Sequence, residues 1–155
     1  VYGMEAMNVL RMEKGFITHA EIDGRATAYD VGMQKMISEK KDFIGNKMAQ
    51  RSGLLDPNRE RLVGLKTNGA HSSVTAGSHL FNIDDEPLAD NNQGHISSAA
   101  FSPIENCYIG LAFLKRGPER WGEKIKAVNF VADTELNCEI CPPVFYDPGG
   151  KKIRA

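Results

Sequence analysis

The sequence predicts an α+β chain: helices and short extended pieces over residues 1–56, then a six-stranded antiparallel sheet over residues 57–155. Three observations lead there. Helical spacing is already running within a few residues of the first position. A polar, proline-bearing break falls at Leu54-Leu55-Asp56-Pro57-Asn58. After it, short β-like runs alternate with turn chemistry, and no helix is long enough to cross over between parallel strands. Near-regular strands of that kind make an antiparallel barrel or a sandwich. A closed six-stranded barrel is the form expected here, because closure leaves no edge to seek partners.

In the first part, Met4, Met7 and Leu10 recur at helical spacing with Ala6 and Val9 beside them. Glu5, Arg11, Glu13 and Lys14 are then expected to face water, and Gly15 suits the position just past the helix end. A helix so close to an abrupt valine start is expected of a chain trimmed from something longer. Phe16 to Gly24 reads as an extended piece closed by the turn dipeptide Asp23-Gly24. Thr27 to Asp30 reads as loop and Val31 to Ser38 as a weakly alternating strand. Lys40 to Arg51 reads as a second amphipathic helix with Phe43, Ile44 and Met48 inward, although Gly45 inside it costs about 1 kcal/mol relative to alanine.

The six strands are expected at Arg61–Lys66, Ser78–Asn82, His95–Phe101, Cys107–Leu114, Lys124–Val131 and Glu135–Cys141. In the last, Leu136, Cys138 and Ile140 alternate with Glu135, Asn137 and Glu139, the period-2 pattern of a half-buried strand. Pro142-Pro143 stops it, and a tail follows through Tyr146-Asp147-Pro148-Gly149-Gly150.

Composition narrows the function classes. The 155 residues suffice for one ordinary domain, or a small domain with part of another. Nineteen basic and twenty acidic side chains give a net charge of -1, without the footprint of a dedicated nucleic-acid binder. The longest apolar stretch, Cys107 to Leu114, is far too short for a membrane-spanning helix. Charges interrupt the early apolar residues, so no signal peptide is read. Three cysteines do not make a secreted disulfide scaffold, and a reducing cytoplasm is the default expectation.

No motif supplies a catalytic constellation. Cys138-Glu139-Ile140-Cys141 has zinc-knuckle spacing, but a structural zinc needs four ligands and Cys107 stands alone, so buried structural thiols are expected. His19, His71, His79 and His95 form no i, i+4 pair and read as surface or strand residues. Ser72, Ser73, Ser97 and Ser98 lack a nucleophile elbow. No dinucleotide or triphosphate glycine loop occurs. Asp84-Asp85-Glu86 reads as a solvated turn, and Trp121 as packing over a barrel end or sitting at an interface. Neither catalytic nor metal-binding residues are assigned.

Several strings together are recognisable. Leu10-Arg11-Met12-Glu13-Lys14-Gly15 resembles the L-R-L-E-A-G segment of the aminomethyltransferase family, the T-proteins of the glycine cleavage system. Thr27-Ala28-Tyr29-Asp30-Val31-Gly32-Met33 resembles its T-P-x-E-x-G-L segment, and Lys41-Asp42-Phe43-Ile44-Gly45 its K-D-F-I-G helix start. Leu62-Val63-Gly64-Leu65 resembles the opening strand of its C-terminal barrel. Gly94-His95-Ile96-Ser97-Ser98 with Phe101-Ser102-Pro103 resembles its G-x-V-T-S-x-x-x-S-P signature. Glu5-Ala6-Met7, Lys14-Gly15-Phe16-Ile17 and Pro143-Val144-Phe145-Tyr146-Asp147-Pro148 look like the α subunits of heterotetrameric sarcosine oxidases within that family.

The resemblance implies the C-terminal end of such a subunit: the close of a folate-binding module over residues 1–56 and a barrel with its tail over 57–155. In that subfamily sarcosine is demethylated at a flavin on the β subunit, and tetrahydrofolate in the α module captures the one-carbon unit. The implied cofactor of this module is tetrahydrofolate; FAD, FMN and NAD belong to the whole enzyme and are not expected on this chain. The implied partners are the other subunits, chiefly the flavin-bearing β subunit, with no nucleic acid and no membrane. Met7 stands where T-proteins carry a folate-binding arginine, and Tyr146 falls near a family tyrosine close to the folate tail, so these two are the implied folate-wall residues. The acidic residues that hold the pterin lie upstream in the family, so the chain alone is expected to be inactive. A folate-dependent aminomethyltransferase or demethylase and a purely scaffolding barrel are the competing readings.

Overall fold

The structure, a computed structural model, describes residues 2–38, 40–69 and 72–154; His71 lies outside the described residues. Helix α1 spans Met4–Glu13, α2 Asn46–Ala49 and α3 Ser52–Leu55. All six expected strands are present: β1 Glu60–Thr67, β2 His79–Phe81, β3 Gly94–Ser102, β4 Cys107–Lys115, β5 Lys124–Asn129 and β6 Thr134–Cys141. They close into an antiparallel barrel in the order β1-β4-β3-β2-β5-β6, with β6 returning to β1.

Strand alternation divides the apolar residues into two cores. Val63, Leu65, Leu80, Ile96, Leu114, Ile125 and Ile140 fill the barrel interior, joined by Cys138. On the outer surface, Leu62, Ile109, Leu111 and Phe113 form a second core with Met12 of α1 and Phe145 of the tail. Both faces of β4 are therefore covered, which is why it reads as the most apolar strand. Side chains that would normally be polar on the solvent face of an antiparallel strand are apolar there.

Gly94 marks a close approach of backbones. A Cβ at that position would lie 1.9 Å from the Phe113 carbonyl oxygen. Between Ile96 and Ser98 the register with β4 slips, so Ser97 is an extra residue in a β-bulge.

The first 56 residues depart from expectation in four ways. Phe16 to Gly24 is a run of turns, with the Glu21 and Ile22 amides donating to the Thr18 carbonyl, not an extended piece. Val31 to Ser38 contains a 3-10 turn at Gln34–Met36 and no strand. The second helix shrinks to the four residues of α2, because Gly45 adopts φ 95, a left-handed conformation that cannot continue a right-handed helix. Helix α1 forms where expected and ends at Gly15 (φ 71), but its facing is inverted. Met4, Met7 and Leu10 are exposed, while Met12 and Glu13 are buried.

Candidate functional site

The inverted facing of α1 follows from what the barrel offers it. The bulge at Ser97 turns two successive serines toward one carboxylate. Ser98 Oγ donates to Glu21 Oε1 at 2.5 Å. The Ser97 hydroxyl lies between that oxygen, at 2.8 Å, and the Leu111 carbonyl, at 3.0 Å. The other oxygen of Glu21 accepts the Thr18 amide at 2.8 Å and the Thr18 hydroxyl at 3.2 Å. Arg11 completes the group: its Nη2 donates to Ser98 Oγ at 2.9 Å, and its Nη1 is 3.5 Å from Glu21 Oε2. Burial pushes the Glu21 carboxyl up, but the Ser98, Thr18 and Ser97 hydrogen bonds and the Arg11 charge together hold it below its ordinary value.

Two further acids tie the early residues to the barrel. Glu13, buried, accepts from Ser102 Oγ at 2.6 Å. Its backbone carbonyl accepts the amides of Phe145 at 3.0 Å and Tyr146 at 2.7 Å, so the tail caps the end of α1. Lys14 Nζ adds a 2.6 Å hydrogen bond to the Asp147 carbonyl. Asp30 takes a bidentate pair from Arg59, Nε at 3.0 Å and Nη2 at 2.6 Å, and the Thr27 amide at 2.9 Å. Burial raises the Asp30 carboxyl, yet Arg59 and Thr27 hold it below its usual value. Between these anchors Met12 sits fully buried in the outer core.

Met7 is 44% exposed on the outward stripe with Met4 and Leu10. Tyr146 is half-buried in the tail, and its hydroxyl accepts a 2.6 Å hydrogen bond from Lys152 Nζ. Neither lines the cleft of about 340 Å³ at the junction of the early residues and the barrel. A pterin needs paired donors and acceptors as well as an apolar wall. Met7 can supply only the wall; the Tyr146 hydroxyl accepts from Lys152 Nζ and keeps its own proton to donate. Cys138 and Cys141 are pushed up to about 12 by burial and act as buried or part-buried thiols, as expected of them.

What the sequence reading missed is the lock itself: Arg11, Glu13, Glu21 and Asp30 on one side, Arg59, Ser98 and Ser102 on the other. The signal was present, since two of the strings that carry the family resemblance meet here. Arg11 and Glu13 come from the first, Ser98 and Ser102 from the second.

Residues 60–147 match the glycine cleavage T-protein C-terminal barrel domain. The chain belongs to that family. Among curated relatives it is similar to sarcosine oxidase subunit alpha of Rhizobium meliloti (strain 1021), 37% identical over 153 residues covering 98% of this chain and 16% of that one. The same subunit of Corynebacterium sp. (strain U-96) is 31% identical over 97% of this chain and 16% of its own length. An aminomethyltransferase of Francisella tularensis subsp. tularensis (strain WY96-3418) is 28% identical over 97% and 39%. The chain thus spans about one-sixth of the sarcosine oxidase subunits that it resembles. In fold it is similar to the glycine cleavage system aminomethyltransferase T from Bartonella henselae, with TM-score 0.76 and 20% identity over 92% of this chain and 38% of that one. Among the described residues no helix is long and apolar enough to cross a membrane.

Proposed function

We propose that this chain is the C-terminal part of a sarcosine oxidase α subunit. In this reading residues 1–56 close a folate-binding module and residues 57–155 form the barrel and tail that brace it. The observation that carries the reading is the 37% identity to a sarcosine oxidase α subunit across 98% of this chain, against 28% to an aminomethyltransferase. The outward stripe of Met4, Met7 and Leu10 supports it. Three large apolar side chains on one helical face are costly to leave in water, and an upstream part of the same polypeptide would cover them.

The role of these residues is mechanical. The buried acids fix α1 on the barrel, and α1 then presents a rigid apolar wall toward the remainder of the module. Tetrahydrofolate would be held mainly by upstream residues, with Met7 and Tyr146 at the margin. The reaction is oxidative demethylation of sarcosine on a flavin-bearing partner subunit in the cytoplasm. Holding folate close to the product makes capture of the one-carbon unit effectively intramolecular. A scaffolding role for the chain by itself is favoured by one observation: Met7 and Tyr146 do not line the junction cleft.

The test is turnover of sarcosine by the intact multi-subunit protein with and without tetrahydrofolate. The reading predicts that tetrahydrofolate diverts the one-carbon product from free formaldehyde to methylenetetrahydrofolate, and that Met7→Arg alters the folate concentration needed. Absence of sarcosine oxidation, or formaldehyde release indifferent to tetrahydrofolate, would contradict it.

A further inference from the structure

The cleft of about 340 Å³ at the junction carries charged groups that the docking of α1 does not use. Four of the six titratable groups lining it are already matched. Arg25 is held on Asp23 by its amide at 2.8 Å and its Nε at 3.0 Å. Arg59 is held on Asp30 by the bidentate pair, and its Nη2 also donates to the Arg25 carbonyl at 3.0 Å. Both guanidinium forks are therefore directed at carboxylates.

Glu60 and His95 remain. His95 Nδ1 is 3.5 Å from Glu60 Oε2, too long for a good hydrogen bond, and both side chains are 39% exposed. One face of the His95 ring stacks on Phe113, with centroids 5.7 Å apart and planes 22° from parallel. The lining sets three carboxylates, Asp23, Asp30 and Glu60, against two guanidiniums, Arg25 and Arg59. Ala20 and Ala26 add apolar lining.

We propose that this cleft binds a small planar cation of the amidinium or guanidinium class, with its N–H fork on the Glu60 carboxylate and its plane over His95. Such a cation offers two parallel N–H donors that match a carboxylate bidentately. Its delocalised plane also stacks favourably on aromatic faces. The volume lies at the small end of the range for ligand sites, which fits a single ring or a short chain. A carboxylate ligand finds the guanidinium forks occupied and Glu60 repelling it. The proposal stands apart from the folate reading, since neither Met7 nor Tyr146 takes part.

The test uses benzamidine as the probe, titrated into the 155-residue chain and followed by amide chemical shifts, with benzoate as the control of equal shape and opposite charge. Saturable shifts are expected at residues 20–26 and around Glu60, His95 and Phe113. Affinity should fall at least tenfold in Glu60→Gln, a conservative change at a half-exposed strand end, and comparably in His95→Ala. Benzoate binding as tightly as benzamidine, shifts centred elsewhere, or unchanged affinity in Glu60→Gln would overturn the proposal.

Discussion

The interior of the barrel and the contact on its outer face bury apolar side chains to a similar degree, but they are held by different chemistry. The interior cluster is built from hydrocarbon side chains and one thiol, Cys138. The outer contact sets Met12, Leu62, Leu111 and Phe145 among three buried acids, Glu13, Glu21 and Asp30. Hydrocarbon packing is non-directional and tolerates rearrangement of similar volume. A carboxylate that must meet Ser97, Ser98, Thr18 and Arg11 together is satisfied in one arrangement only. The interior thus provides stability, and the outer contact provides the pose of α1.

The largest effect that sharpens this contrast is expected from Leu65→Ala. Truncating a fully buried leucine in the barrel interior should cost about 2–5 kcal/mol. Because α1 rests on the barrel, both regions should lose structure together, as one transition in circular dichroism and Trp121 fluorescence. A loss confined to residues 4–31 would break the contrast.

Acid should act on the other side. Glu21 and Asp30 are held below the ordinary values of glutamate and aspartate carboxyls, despite their burial, by their hydrogen bonds and the neighbouring arginines. A depressed carboxyl contributes stability that is fully present above its unfolded value and is lost as pH falls through its folded value. From neutrality down to about pH 5 these two groups should therefore leave stability flat. Below pH 4.5 the early segment should become sensitive to limited proteolysis before the strands do. Loss of the segment on the alkaline side, near pH 8, would contradict the assignment.

The barrel was legible in the sequence because each strand obeys a local rule. Period-2 alternation in β6, the apolar run of β4 and turn residues between strands are properties of neighbouring residues. The early segment was not legible for the same reason. The Lys40–Arg51 periodicity predicts an inward face, but Gly45 at φ 95 breaks the helix and Phe43, Ile44 and Met48 are exposed. Arg11 and Glu13 look like solvent residues until Ser98 and Ser102, more than eighty positions away, are brought beside them. Met4, Met7 and Leu10 look like a core stripe, and they remain a stripe with no cover among the described residues.

The central claim is that buried carboxylates, rather than strand pairing, seat α1 on the barrel. The measurement that tests it most directly is native-state hydrogen exchange at pH 7 in Glu21→Ala against the parent chain. Removing the carboxylate leaves the Ser98 hydroxyl and the Thr18 amide without their acceptor and Arg11 without its counter-charge, worth about 1–3 kcal/mol. The account predicts that amides of residues 7–22 exchange roughly tenfold or more faster while β1, β4 and β6 keep their protection. Equal loss across the strands, or unchanged protection of α1, would contradict it.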